Sequence, residues 1–334
     1  MKKYLTTLQK DLLLEKQCLE QYLKNHNDNW ESQKFTMRKK LLQNISNQIK
    51  LNLESFRGKG ERKMFKEERI HFPQSEIHTT LIPVSTGCPY NQCAFCAMYK
   101  GDEYNMVSLQ DIEFELLNGD EYTDRVFLTG ADPLAVGYER MLRILKLIRK
   151  YYKYCGCVGM YASVKSIYKY STEQLVELHK AGLSLLYIGF ETGSDAVLKL
   201  MKKGHTKAMA IEVGQKLNAA QIPFNSIIMY GIAGAGGCID NAVETVDMLN
   251  QFDSKKIVTM NLTVFETTKL AKMVEAGEFV TASALEKRDE LRVLLENLNV
   301  RKTTEFDTTH ATNIIRMIGS LPGERDRLLA ELGN

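Results

Sequence analysis

The chain has 334 residues, 44% hydrophobic and 25% charged, with a formal net charge of +3. That balance suits a globular protein with a core large enough for a barrel domain and excludes a long disordered chain; no apolar run approaches the roughly 20 residues of a membrane span. Seven cysteines, an odd number, fit a reducing compartment, and the N-terminus lacks a secretory pattern, so the protein is expected in the cytoplasm.

Residues 1–75 read as a helical extension. Tyr4, Leu5, Leu8, Leu12, Leu13, Leu19, Tyr22 and Leu23 recur at three- and four-residue steps, and a second such run extends from Met37 through Leu53. Positive charge is in excess up to residue 70 and negative charge beyond it. Lys34, Arg38, Lys39 and Lys40 either meet nucleic acid or an acidic partner, or form the solvated face of a helix. Cys18 and His26 fit structural or surface roles, and Gly58-Lys-Gly-Glu-Arg reads as a linker.

Apolar, β-branched runs follow at residues 80–84, 125–128, 157–161, 185–190, 224–230 and 257–264, each trailed by a helical pattern. Six βα units predict an α/β fold with a parallel sheet, fitting a partial barrel at least as well as an open doubly wound sheet, and ligands in either gather at the C-terminal ends of the strands. After the first strand comes Thr86-Gly-Cys-Pro-Tyr-Asn-Gln-Cys-Ala-Phe-Cys, which puts Cys88, Cys93 and Cys96 on one loop. Three crowded thiols suit a soft metal better than core packing. A closed zinc site needs a fourth ligand, usually from a second pair, and none follows at that spacing; a plant-type ferredoxin also needs a fourth cysteine, and Cys155 is remote in sequence. Three thiolates on a four-iron, four-sulfur cluster would leave one iron open for a ligand.

At these residues the chain resembles the radical S-adenosylmethionine (radical SAM) superfamily, with four residues in the first gap of the cysteine motif where three are commonest. The resemblance implies a partial (β/α)6 TIM-type barrel over residues 76–265, with the helical extension before it. It also implies a 4Fe-4S cluster on Cys88, Cys93 and Cys96 and S-adenosylmethionine as cofactor, with Phe95 near the adenine. Gly130-Ala-Asp132, after the second strand, is similar to the family's Gly-Gly-Glu segment, which faces the cofactor's ammonium; read by itself it is a turn. Ser163, after the third strand, is either a cofactor contact or a helix cap. Glu191, after the fourth, is positioned to accept from ribose hydroxyls, and Lys203 matches a basic position near the cofactor carboxylate, or is an exposed lysine before a helix-ending glycine. Ile228, Met229 and Gly231 match the region that contacts adenine.

The string Gly231-Ile-Ala-Gly-Ala-Gly-Gly237 lacks the P-loop lysine, so phosphate binding is not expected. Cys238 beside it is a candidate radical-quenching thiol or an inert buried one. Residues 266–334 read as helices closing the barrel: 269–275, 281–298, a stretch around 311–318, and 325–332. His310 and Asn313 either reach substrate or cap a helix. No cysteine follows Cys238, which excludes auxiliary clusters in that region.

The resemblance implies reductive cleavage of S-adenosylmethionine to a 5'-deoxyadenosyl radical that takes hydrogen from a substrate the sequence does not identify. An external flavodoxin- or ferredoxin-type donor would supply the electron. The alternative is a non-catalytic iron-sulfur or zinc module whose basic helices bind RNA or a partner protein.

Overall fold

The computed structural model describes residues 70–333, so the expected N-terminal helices, their basic run, Cys18, His26 and the linker lie outside the described residues. Ten strands follow in chain order: β1 Thr80–Pro83, β2 Ser85–Thr86, β3 Asn105–Met106, β4 Arg125–Thr129, β5 Cys157–Ala162, β6 Leu183–Glu191, β7 Phe224–Tyr230, β8 Lys256–Asn261, β9 Thr304–Asp307 and β10 Ile318–Leu321. The helices are α1 Leu109–Asn118, α2 Tyr138–Tyr151, α3 Val164–Tyr168, α4 Thr172–Ala181, α5 Asp195–Leu200, α6 Lys207–Ala219, α7 Cys238–Leu249, α8 Lys269–Glu275, α9 Ala284–Asn297 and α10 Arg325–Glu331. None of the described helices is long and apolar enough to cross a membrane.

The main sheet runs β1-β4-β5-β6-β7-β8-β9-β10, parallel through β9 and antiparallel at β10. A strand order that never reverses, joined by right-handed crossovers, puts every connecting helix on one face and coils the sheet toward a barrel. The edges β1 and β10 leave that barrel partial. The six expected βα units are all present.

Both faces of the sheet are buried, which is why its strands read as near-continuous apolar runs. On the outer face Val126, Leu128, Met160, Leu186 and Ile188 join Ile144 and Ile148 of α2, Leu178 of α4 and Leu217 of α6 in one core. On the inner face Phe127, Tyr161 and Tyr187 meet edge to face, with centroids 5.5 to 6.0 Å apart. These rings fill the barrel as side-chain layers do, so ligands are left with its mouth.

The short turn Gln74–Glu76 closes the opposite end. Glu76, fully buried, accepts from Arg125 Nε at 2.8 Å and Nη2 at 2.5 Å, from Tyr187 Oη at 2.6 Å and from Thr79 Oγ1 at 2.7 Å. Burial works against its charge, but the bonds from Arg125, Tyr187 and Thr79 outweigh it and hold the carboxyl below its ordinary range. A depressed pKa gives stability that is complete above the unfolded carboxylate value and lost as the pH falls through the folded one. Glu76→Gln should therefore cost on the order of 2 kcal/mol at neutral pH and flatten the acid limb of the thermal midpoint plotted against pH. A limb as steep as the parent's would remove Glu76 from that role.

The C-terminal region departs from a purely helical reading. The helices α8, α9 and α10 are present, but residues 311–318 form no helix, and β9 and β10 extend the sheet. Ile314, Ile315, Met317 and Ile318 have helical spacing, yet side chains claim the backbone groups a helix would need. Met317 N donates to Thr308 Oγ1 at 2.8 Å, which itself donates to Ile315 O at 2.9 Å. Asn313 Nδ2 donates to Thr259 O and Thr308 O, and its Oδ1 accepts from Asn261 N at 2.7 Å. Asn313 thus ties this segment to β8 rather than capping a helix, and His310 turns its Nδ1 to Thr312 Oγ1 at 2.9 Å.

Candidate functional site

The cysteine loop leaves β1 at the barrel mouth and is closed at its base by β2 and β3, which pair antiparallel with Ser85 opposite Met106 and Thr86 opposite Asn105. Its middle is held from two sides: Ala94 N donates to Met201 O at 2.8 Å, and Leu270 N donates to Ala94 O at 2.9 Å. Tyr90 Oη donates to Lys202 O at 2.9 Å. Ala94 and Phe95 pack with Met201, Met229, Ile232, Leu262 and Leu270, so Phe95 and Met229 share one apolar cluster. A loop fixed in this way presents its thiols in a set arrangement.

Cys88, Cys93 and Cys96 are half-buried and free of disulfides. Burial raises the pKa of Cys93 and Cys96, Lys203 opposes it, and Glu191 and the neighbouring thiols add to the rise. The three sulfurs are thus near enough to feel one another's charge. Cys93 and Cys96 so placed keep their protons until a metal displaces them. Asn91 N donates to Cys88 Sγ at 3.3 Å, the kind of bond that tunes an iron-sulfur cluster. Among the described residues no three His, Cys, Asp or Glu are grouped to hold a single ion, whereas a cubane spreads its ligands over separate irons.

Gly130 (φ 134°) turns the chain after β4, and a Cβ there would meet Ser85 Oγ at 2.4 Å. The turn carries half-buried Ala131 and aims Asp132 inward. Asp132 is buried, and its Oδ2 accepts from Ser163 Oγ at 2.5 Å and Ser166 Oγ at 2.6 Å. Burial raises its pKa while the two serines lower it, with a net rise. Its Oδ1 has no partner. Ser163 also caps α3 by accepting from Ser166 N, which is the helix-cap reading of that residue. Asp132, Ser163 and Tyr90 line a cleft of about 420 Å³ between the cysteine loop, the Gly-Ala-Asp turn and α3.

Glu191 and Lys203 meet each other: Nζ to Oε1 is 2.6 Å, with 15% and 9% of the lysine and glutamate side chains exposed. Lys203 is therefore not the exposed lysine its position before Gly204 permits. Burial would lower its pKa, but Glu191 and Cys93 raise it further, and the ammonium also lies 5.9 Å from the centre of the Phe95 ring. Glu191 has a left-handed backbone (φ 65°) at a bulge between β6 and β7. A Cβ on Gly189 would sit 2.5 Å from Glu191 Oε1 and 3.1 Å from Lys203 Nζ, so glycine leaves room for the pair.

His205 carried no signal in the sequence. It is buried with Nε2 unpartnered, and burial with the Lys203 charge lowers its pKa to about 3, so the ring stays neutral.

The glycine-rich loop after β7 takes its anions from the chain itself. Gly231 N donates to Glu290 Oε2 at 2.6 Å and Gly236 N to Glu286 Oε1 at 2.5 Å, both carboxylates from α9. Asn241 Nδ2 satisfies the other Glu290 oxygen at 2.7 Å. Phosphate is thus displaced by an internal carboxylate. Cys238 is buried beneath this network, and burial and Glu290 drive its pKa far up, which keeps it a protonated thiol and a poor nucleophile.

A three-cysteine loop and a buried carboxylate with one unpartnered oxygen thus lie together at the mouth of a partial βα barrel. Residues 82–237, just under half of the chain, match the Radical SAM superfamily. A curated relative, the tRNA-2-methylthio-N(6)-dimethylallyladenosine synthase of Alkalilimnicola ehrlichii, is 27% identical over 184 residues, or 52% of this chain. That match spans only 40% of the relative's length. Among solved structures, coproporphyrinogen III oxidase (HemN) from Escherichia coli is 14% identical with a TM-score of 0.48, over 73% of this chain and 60% of that one. Elp3 of the archaeon Methanocaldococcus infernus is 16% identical with a TM-score of 0.44, over 65% and 53%.

Proposed function

We propose that Cys88, Cys93 and Cys96 hold the cluster and that S-adenosylmethionine lies across the barrel mouth from the Asp132 cleft toward Glu191, Phe95 and Met229. Bound there, the pair would supply a 5'-deoxyadenosyl radical for hydrogen abstraction, with the electron drawn from an external flavodoxin- or ferredoxin-type donor. The observation that carries this reading is Asp132 Oδ1, a buried carboxylate oxygen without a partner, in a cleft shared with the cysteine loop. A buried unpaired charge is costly, and the cofactor's ammonium would relieve it.

The chain's own part is positional. Ser163 and Ser166 fix one Asp132 oxygen so that the other is left for the ligand. Phe95 and Met229 offer an apolar wall to the adenine. Lys203 keeps the Glu191 carboxylate in place and brings positive charge toward the thiolates.

Anaerobic reconstitution followed by dithionite-dependent formation of 5'-deoxyadenosine tests the reading; a colourless protein with iron supplied would overturn it. Asp132→Asn should weaken S-adenosylmethionine binding at least about thirtyfold, the roughly 2 kcal/mol lower bound for removing one partner of a buried charged pair. Titration calorimetry gives the affinity and iron analysis the cluster content, which should stay at the parent's level. An unchanged affinity would take Asp132 out of the cofactor site.

A further inference from the structure

Four lysines converge on the tip of the cysteine loop, residues 89–92, which joins Cys88 to Cys93. Lys100 Nζ donates to Asn91 O at 2.9 Å, and Lys269 Nζ to Gln92 Oε1 at 3.4 Å. Lys165 Nζ stands 4.7 Å from the centre of the Tyr90 ring, and Tyr90 Oη is bonded to the carbonyl of Lys202. Lys100 belongs to the loop itself, whereas Lys165 comes from α3, Lys202 from the turn after α5 and Lys269 from the start of α8. Lys165, Lys202 and Lys269 are exposed, and none of the four forms an ion pair among the described residues.

The loop does nothing to cancel this charge, since residues 86–101 contain no aspartate or glutamate. Like charges gathered at one tip make a positive field there, which steers an acidic partner. Pro89 at the centre is exposed and Tyr90 half-buried, so an apolar centre has a cationic rim, the plan of a protein interface. The tip is also wired to the thiols. Cys88 and Cys93 flank it in the chain, and Asn91 N donates to Cys88 Sγ at 3.3 Å, so an electron delivered there has covalent and hydrogen-bonded routes to two of the three cysteines. A nucleic-acid strand calls for a groove that follows its backbone, whereas these lysines meet at one point.

We infer that this lysine collar is the docking surface of the electron donor, an acidic carrier protein of the flavodoxin type whose flat aromatic flavin faces the apolar centre while its carboxylates meet the four lysines. It rests on the reading of the loop as a cluster site and fixes where on the chain the donor binds. The anionic flavin hydroquinone gives one electron and becomes the neutral semiquinone, the oxidised cluster takes that electron, and no proton or bond changes hands.

Stopped-flow bleaching of the cluster absorbance in the reconstituted full chain, with reduced flavodoxin as donor, reads the encounter. The second-order rate constant should fall at least about tenfold from low to high salt, as exposed charges are screened. Lys165→Gln/Lys202→Gln/Lys269→Gln should lower it about tenfold or more at low salt. Lys153→Gln/Lys180→Gln/Lys255→Gln takes the same charge from exposed positions before β5, β6 and β8, at the opposite ends of the strands, and should keep the parent's rate. Dithionite, which needs no docking, should reduce all three proteins alike, with equal iron and parent-like melting curves. Equal rates in the parent and the collar variant, or equal losses in the two triple variants, overturn the inference. So does a uridine oligonucleotide that binds the parent, blocks reduction and no longer binds the collar variant, which would give the lysines to nucleic acid. If dithionite reduces the cluster and flavodoxin does not, only the docking surface falls; if no cluster forms, the cluster reading falls first.

Discussion

Cys93→Ala, reconstituted anaerobically with iron and sulfide, will lack the brown absorbance of the parent and form 5'-deoxyadenosine more than roughly 100-fold more slowly. That loss lies beyond the 10- to 100-fold range of changes outside the ligand sphere. The reason is the fixity of the loop. Ala94, the next residue, is bonded on one side to Met201 and on the other to Leu270, so the backbone cannot slide to recruit a substitute. The remaining described cysteines are no help. Cys155 and Cys157 lie at the start of β5, away from the mouth, where Cys157 Sγ accepts from Arg125 Nη1 at 3.0 Å, and Cys238 is sealed under α9. Cys157→Ala is accordingly the control that keeps iron and rate. Equal iron and equal rate in Cys93→Ala would remove this loop from the chemistry, and zinc in place of iron would favour a non-catalytic module.

The fold was legible because burial on both faces leaves a mark in sequence: residues 224–230 and 125–128 are apolar runs bounded by polar turns, and the strands fall on them. The order of motifs at successive strand ends was legible for the same reason. What stayed hidden depends on partners distant in the chain. The segment at 311–318 has helical spacing, and only the bonds from Thr308 and Asn313 reveal why it does not coil. The glycine-rich loop looks like an anion site and is one, but its anion is Glu290, 59 residues beyond Gly231. Lys203 and Glu191 each match a cofactor-facing position in sequence, and the fold sets them against each other.

That pair gives the largest expected effect on stability. Two charges 2.6 Å apart with little exposure have surrendered most of their hydration, and each is compensated chiefly by the other. Lys203→Met leaves Glu191 charged and enclosed, and Glu191→Gln leaves the ammonium enclosed. Either single change should cost about 3–5 kcal/mol, read from denaturant unfolding of the apoprotein. The double variant Glu191→Gln/Lys203→Met buries no net charge and should cost well under the sum of the two, a coupling that a pair of independent residues would not produce.

The pH dependence has a definite sign. The folded Lys203 pKa lies above the unfolded one, so its contribution is complete below the ordinary lysine value and is lost as the pH rises through the folded value. Glu191→Gln removes the first upward influence on that pKa, so the alkaline decline of the parent should flatten in the variant. Additive costs, together with an alkaline limb that keeps its shape, would mean that the two residues act separately. Glu191 would then be free to serve the cofactor alone, and its left-handed backbone would need another cause.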